Sequence, residues 1–235
     1  MVGFMRESPP ASRGAEWAVL PMSIPIAGEP IEFRLMAPRD RGEVLAFGRR
    51  LHSEDLLFLR RDITSSDEVD GWLREIADGS LSTVLAVDLD GAIVGYAAID
   101  RGEVRWTRHV AEIRLLVEPR QGATALRAAL LHVAFERALA ADVEKIVAQV
   151  TPHQEPLRAL FVALGFEHEA TLRKHVVDAR GAKHDVLVLS FDPERHGLQP
   201  CHGCAKRLVT LLALERRQLC WSCYELRYRE LGGSG

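Results

Sequence analysis

Alternation of apolar and polar residues predicts the first elements of the fold. Residues 31–35 alternate as in a strand with one buried face, and residues 38–50 have the period of a helix that opens on a proline. A second helix is predicted over residues 67–77, with Ser66 as its cap and Gly79 as its stop. The pattern therefore begins with a strand and two helices.

The middle of the chain has the pattern of an antiparallel meander. Residues 82–100 contain two apolar runs around Asp90-Gly91, a dipeptide that favours tight hairpins. A longer strand is predicted over residues 104–118, before Pro119. A helix with one apolar stripe follows, and the stripe consists of Leu126, Ala129, Leu130 and Val133.

A strand over 144–151, a helix over 155–164 that ends at Gly165, and a hairpin over 166–192 complete the pattern. The helix between the long strand and residues 144–151 allows one parallel crossover. We therefore predict an α+β fold, with a mixed, mostly antiparallel sheet and helices on both faces.

Length and composition suggest one main domain with a small appendage. The chain has 235 residues, of which 47% are hydrophobic and 27% charged, and its net charge of -3 gives no reason to expect nucleic acid or membrane as a partner. The start lacks a signal-peptide pattern, so we predict a cytoplasmic protein. The predicted divisions are a flexible leader (1–28), a domain (29–192), a linker (193–200) and a C-terminal module (201–235).

The C-terminal module contains all the cysteines of the chain, as C-x2-C, fifteen residues, and C-x2-C. Four thiolates at this spacing can coordinate a structural zinc ion tetrahedrally. A module this short buries too little apolar surface to fold alone and needs such a metal to stabilise it. A redox dithiol and an iron–sulfur site are the alternatives. The predicted zinc ligands are Cys201, Cys204, Cys220 and Cys223.

The same module carries six basic and three acidic residues, a net charge of +3. With its aromatic residues, this bias could serve binding to nucleic acid or to an acidic protein surface. The alternative is a solvated face whose aromatic residues pack on the main domain. The sequence leaves both open.

A basic turn with a single glycine stands between the long strand and the next helix, as "VEPRQGATA" over residues 117–125. Unpaired N–H groups and the dipole at a helix N-terminus attract anions. A plain strand-to-helix loop would have similar residues. This turn alone therefore leaves an anion site and a simple connection as alternatives.

Together with "EKIVAQVT" and "PLRALFVALGFE", this turn resembles the GNAT-type N-acetyltransferase superfamily over about residues 32–192. The family signature is V-x-P, then Arg/Gln-x-x-Gly-x-Gly/Ala, and later a helix that ends in Gly-Phe. Two positions depart from it: Ala123 replaces a usual glycine, and Phe161 replaces a tyrosine that protonates the leaving thiolate in many members. The residues that fit are Val117, Pro119, Arg120, Ala125, Gly165 and Phe166.

The resemblance implies that acetyl-CoA is the co-substrate. Its pantetheine arm would pair with the end of the long strand, and its pyrophosphate would lie on the amides of the turn. A side chain of the next helix would also contact the cofactor. The implied cofactor-binding residues are Leu115, Leu116, Val117, Arg120, Gln121, Gly122, Ala123, Thr124, Ala125 and Gln154.

Acetyl transfer needs a neutral amine, so a base must take a proton from the acceptor. Glu112 is the first candidate, because it shares a strand face with Arg114 and Leu116 and relatives place a carboxylate there. The alternative is that Glu112 only pairs with Arg114. His109 is the second candidate base, with a structural histidine as its alternative.

The predicted function is therefore transfer of an acetyl group from acetyl-CoA to a primary amine, in a small molecule or a protein lysine. The alternative is a non-catalytic regulator that senses acyl-CoA and whose zinc module binds a protein or nucleic acid. Phenylalanine at position 161 favours the regulator, whereas Glu112 and the basic turn over residues 117–125 favour the enzyme.

Overall fold

The computed structural model describes residues 20–52, 56, 59–102, 105–141, 143–178 and 180–196, together with short strands at 199–200, 207–208, 212–214 and 217–219. Eight strands form one sheet in the order β1-β2-β3-β4-β5-β6-β8-β7. Neighbouring strands are antiparallel except β5 and β6, which are parallel. The strands are β1 (Met22–Ile26), β2 (Glu29–Leu35), β3 (Leu81–Val87), β4 (Ile93–Asp100), β5 (Val110–Val117), β6 (Lys145–Val150), β7 (Glu167–Val177) and β8 (Lys183–Phe191).

Two helices cover each face of this sheet. The helices are α1 (Arg41–Arg50), α2 (Ser66–Asp78), α3 (Ala123–Ala140), α4 (Glu155–Ala163) and the short α5 (Pro193–His196). Phe47 of α1 and Trp72 of α2 belong to the core on one face, whereas Phe135 of α3 and Phe161 of α4 belong to the core on the other. The predicted mixed sheet with helices on both faces is confirmed.

The N-terminal part of the sheet differs from the predicted leader. Residues 22–26 form β1, which pairs with β2 along its whole length and buries Ile24 and Ile26. Pro25 is tolerated because β1 lies at the sheet edge, where one side of the strand makes no hydrogen bonds to another strand and a missing N–H is not needed. Residues 1–19 lie outside the described part of the chain.

The strand predicted over residues 104–118 is shorter in the structure. A turn of 3-10 helix occupies Arg105–Thr107, and β5 begins only at Val110. The Trp106 side chain is 81% exposed, so it lacks the burial that a continued strand would provide. The second helix begins one residue earlier than predicted, with Ser65 as N-cap, and ends at Gly79 as predicted.

Beyond the main sheet, β9 (Gln199–Pro200) pairs with β10 (Arg207–Leu208), and β11 (Leu212–Leu214) pairs with β12 (Arg217–Leu219). All four cysteines lie outside the described residues. Among the residues that are described, no group of three or more His, Cys, Asp or Glu is placed to hold a metal ion. In that same part of the chain, no helix has the length and apolarity needed to cross a membrane.

Candidate active site

The parallel strands β5 and β6 separate halfway along their length. They pair at three positions, of which Glu112 with Val147 is the last. Beyond this point β5 stays paired with β4 as far as Val117, while its other edge has no strand partner among the described residues. A cleft of about 590 Å³ opens in the gap and runs between the two helix layers.

Side chains of β5 alternate between the two sides of the sheet, as the sequence pattern predicts. Leu115 and Val117 pack with the core under α3 and α4. Leu116 packs with the core under α1 and α2, on the side where Glu112 and Arg114 also lie. The residues Glu112 to Leu116 all line the cleft.

Glu112 is held by Arg114 within the cleft. Arg114 Nε donates to one carboxylate oxygen at 2.9 Å and Nη2 donates to the other at 2.6 Å. Arg114 Nη1 also reaches Asp100 at 3.5 Å. The pairing considered as an alternative for Glu112 is therefore present, although each carboxylate oxygen keeps a lone pair for a further donor.

His109 lies in the turn before β5, and its exposed ring is not among the side chains that line the cleft. Its carbonyl accepts hydrogen bonds from the N–H groups of Glu144 at 2.8 Å and Lys145 at 3.2 Å. These bonds hold the start of β6 beside β5. The contacts of His109 are therefore structural and come from its backbone.

The basic turn has the backbone geometry of a helix start with free donors. Gly122 is the N-cap of α3 and has φ of 76°, a left-handed conformation. The N–H of Leu126 donates to the Gly122 carbonyl at 2.9 Å. Thr124 and Ala125 are exposed, and their N–H groups have no acceptor among the described residues. Two unpaired donors therefore stand at the positive end of an eighteen-residue helix.

The β1–β2 hairpin packs directly on this turn. A Cβ at Gly122 would lie 2.9 Å from the Ala27 Cβ, so a side chain there would clash in addition to straining the backbone. Arg120 Nη2 lies 2.5 Å from a Glu29 carboxylate oxygen, and Arg120 Nη1 lies 4.0 Å from Asp88. Arg120 thus has carboxylate neighbours beside the free amides.

Gln154 and Phe161 mark the opposite wall of the cleft. Gln154 is the N-cap of α4, and its side-chain oxygen accepts the Thr151 N–H at 2.9 Å. Phe161 is buried and meets the Phe166 ring edge-on, with centroids 4.9 Å apart. Gln154 therefore ties the end of β6 to α4, while Phe161 gives the wall an apolar surface.

Several side chains of the cleft were not predicted from the sequence, and among them are Arg61, Trp72 and Tyr96. They come from the loop before α2, from α2 and from β4. Tyr96 packs on Trp72, with ring centroids 4.9 Å apart. Its position opposite Leu116 in the β4–β5 ladder brings it to the cleft.

Comparison with known proteins agrees with this geometry. The family described as Acetyltransferase (GNAT) family matches residues 27–166. None of the curated protein sequences matches the chain.

Solved structures with the same fold include an acetyltransferase of the GNAT family from Streptococcus pneumoniae, with 24% identity, TM-score 0.60, and coverage of 69% of this chain and 99% of that one. The ribosomal-protein-S5-alanine acetyltransferase from Vibrio fischeri has 17% identity, TM-score 0.62 and coverage of 73% and 96%. Spermidine N-acetyltransferase from Vibrio cholerae, in complex with CoA and spermine, has 16% identity, TM-score 0.58 and coverage of 69% and 95%.

Proposed function

This chain belongs to the acetyltransferase (GNAT) family, and we propose that it moves the acetyl group of acetyl-CoA to a primary amine. The observation that carries the proposal is the cleft between the separated strands β5 and β6, with unpaired helix amides beyond the end of β5. The open edge of β5 suits an extended ligand chain, and the unpaired amides at the start of α3 suit an anion.

The cofactor would bind along β5 and across the start of α3. The β5 edge beyond Glu112 offers backbone N–H and C=O groups to the amides of the pantetheine arm, as a neighbouring strand would. The N–H groups of Thr124 and Ala125 would donate to the pyrophosphate. Acetyl-CoA supplies the activated acetyl group, and these residues position it in the cleft.

The reaction forms a C–N bond and breaks a C–S bond. The ammonium first gives up one proton, and the amine nitrogen then attacks the thioester carbonyl. The tetrahedral intermediate collapses, CoA leaves as a thiolate that takes up a proton, and the nitrogen loses a second proton. The products are an N-acetylated amine, CoA and one net proton. A β5 amide near Leu116 or Val117 would stabilise the oxyanion.

We assign the role of base to Glu112, which lines the cleft at the point where β5 and β6 separate. Arg114 fixes its orientation, and the remaining lone pairs can accept a proton from the acceptor directly or through one water. Phe161 has no proton to give, so water would protonate the thiolate. The exposed His109 has no part in this scheme.

The test combines calorimetric titration with acetyl-CoA and a thiol-release assay of turnover. We expect Glu112→Gln to lower kcat by about 100-fold or more while the Kd for acetyl-CoA stays within about twofold. Glu118→Gln is the matched control, because Glu118 directly follows the same strand, pairs with Arg50 and lies outside the cleft lining. Unchanged turnover and pH profile in Glu112→Gln would remove the assigned role, and absence of acetyl-CoA binding would remove the proposed function.

Phe161 favours a second candidate, a regulator that senses acyl-CoA without turning it over. Its side chain is apolar where many relatives carry a tyrosine hydroxyl, and it is buried against the Phe166 ring. Tight binding of acetyl-CoA with no acetylation of any amine would favour this candidate. Turnover with any amine above the rate of thioester hydrolysis would exclude it.

We also propose that Cys201, Cys204, Cys220 and Cys223 hold a structural zinc ion. The paired strands β9 and β10 flank the first C-x2-C in the chain, and β12 ends one residue before the second. Zinc would staple a module too short to fold by apolar burial alone. Metal analysis of the purified protein should give about one zinc per chain, and Cys204→Ser should lose it; purification without zinc would contradict the proposal.

A further inference from the structure

The acceptor side of the cleft contains an arginine with unused hydrogen-bond donors. The Arg61 side chain is only 15% exposed, and its guanidinium carbon lies 5.4 Å from the centre of the Trp72 ring. Its Nη2 donates to Glu75 at 2.8 Å, and it donates no other hydrogen bond to the residues that the structure describes. None of its nitrogens is both buried and unpaired, so the remaining N–H donors are open to the cleft that Arg61 lines and are available to an anion.

A buried phenol lies on the same wall. Tyr96 is 6% exposed, and its hydroxyl makes no hydrogen bond within the described part of the chain. Burial raises the pKa of Tyr96 far above its usual value, and the positive charges of Arg61 and Arg114 only partly oppose that rise. The phenol therefore stays protonated and is a neutral hydrogen-bond donor in the lining of the cleft.

The cleft lining contains three arginines, and each of them already pairs with a carboxylate: Asp100, Glu75 and Glu112 respectively in the order of the chain. Arg60, Arg61 and Arg114 line it, whereas Glu112 is the single carboxylate among the described residues of its lining. Both oxygens of that carboxylate already bind one of these arginines. A polycationic acceptor would therefore find only one carboxylate in this lining for its several charges.

We propose that the acceptor is a small primary amine that also carries a carboxylate or a phosphate, and that Arg61 and Tyr96 bind this anionic group. The inference rests on the proposed function and names the substrate class of the same cleft. The ammonium end would face Glu112, while the anionic end would accept N–H donors of Arg61 and the hydroxyl of Tyr96. Binding at both ends would orient the amine nitrogen toward the thioester.

The experiment compares matched amines at saturating acetyl-CoA, with CoA release and product mass as readouts. The carboxylate arm pairs 4-aminobutyrate with 4-aminobutanol, the phosphate arm pairs phosphoethanolamine with ethanolamine, and spermidine is the polycation. We expect kcat/KM for the anionic member to exceed that of its neutral partner at least about tenfold in one arm or both. The arm with the larger ratio identifies the anionic group.

Arg61→Gln should abolish that ratio by raising KM for the anionic amine at least about tenfold, while the Kd for acetyl-CoA stays within about twofold. Arg74→Gln is the control, because Arg74 is exposed on α2 and lies outside the cleft lining. Tyr96→Phe should reduce the ratio by a smaller factor.

Ratios near one in both arms, preference for spermidine, or an unchanged ratio in Arg61→Gln would overturn the inference. Acetyl-CoA binding with no acetylation of either anionic amine would overturn it as well and leave the cofactor site standing. Failure to bind acetyl-CoA would instead remove the proposed function itself, so the two failures are distinguishable.

Discussion

Replacing Thr124 by proline removes a single backbone donor from the proposed pyrophosphate site. Thr124 is the second residue of α3, and its N–H has no acceptor among the described residues, so proline breaks no hydrogen bond of the helix there. Proline is tolerated in the first helical turn because its fixed φ suits the helix and its ring meets no preceding helical carbonyl. The free energy of unfolding without ligand should change by less than about 1 kcal/mol.

The effect on cofactor binding should be much larger. A hydrogen bond to a charged group contributes roughly 1.5–3 kcal/mol, and each 1.4 kcal/mol changes Kd tenfold. We therefore expect Thr124→Pro to weaken acetyl-CoA binding by about 10- to 150-fold. The assay is calorimetric titration at neutral pH and low salt, with urea unfolding of the unliganded protein beside it.

The control Thr124→Ala removes the hydroxyl but keeps the N–H, so its Kd should stay within about threefold of the parent. The reasoning would be refuted if Thr124→Pro bound acetyl-CoA as tightly as Thr124→Ala while both unfolded at the same urea concentration. In that case the helix start would be a simple connection, and the pyrophosphate would bind elsewhere.

Two further predictions concern the core beside the cleft. Gly48→Ala places a Cβ 2.7 Å from the Ile63 carbonyl oxygen, so we expect a net loss of roughly 1–2 kcal/mol in urea unfolding, whereas Gly42→Ala in the same helix meets nothing within 4 Å and should be neutral or stabilising. Because burial raises its folded-state pKa, Tyr96 keeps a proton that the unfolded chain releases above pH ~10, and stability falls as pH rises there. Tyr96→Phe should lessen that fall by up to ~1.4 kcal/mol per pH unit, and an equal slope in both proteins would contradict the assignment.

Local signals accounted for most of the main sheet. The turn at Asp90-Gly91 and the stop at Gly79 need only neighbouring residues, and both are present in the structure. Strand β1 was missed because Pro21, Pro25 and the Ala27-Gly28 turn resemble an irregular leader. Its stability comes from pairing with β2 at the sheet edge, which no local pattern reports.

Some residues of the candidate site could be predicted from local sequence, and others could not. Alternation along one strand was enough to put Glu112 and Arg114 on the same face of β5. The contribution of Tyr96 depends on which residue lies opposite it in the β4–β5 ladder, and that of Arg61 depends on the path of the loop before α2. Register and loop path are set by tertiary packing, so these residues could not be assigned from the sequence.

Because the β1–β2 turn contacts Gly122, the stability of the N-terminal hairpin is coupled to ligand binding at the proposed cofactor site. If the hairpin detached, the helix start would lose its support from Ala27 and the neighbouring Glu29. A ligand that binds only the supported form adds RT ln(1 + [L]/Kd) to the cost of that local opening. Acetyl-CoA at 100 times its Kd should therefore slow amide exchange in β1 by up to about 100-fold, although the proposed amine site lies on the other side of the sheet.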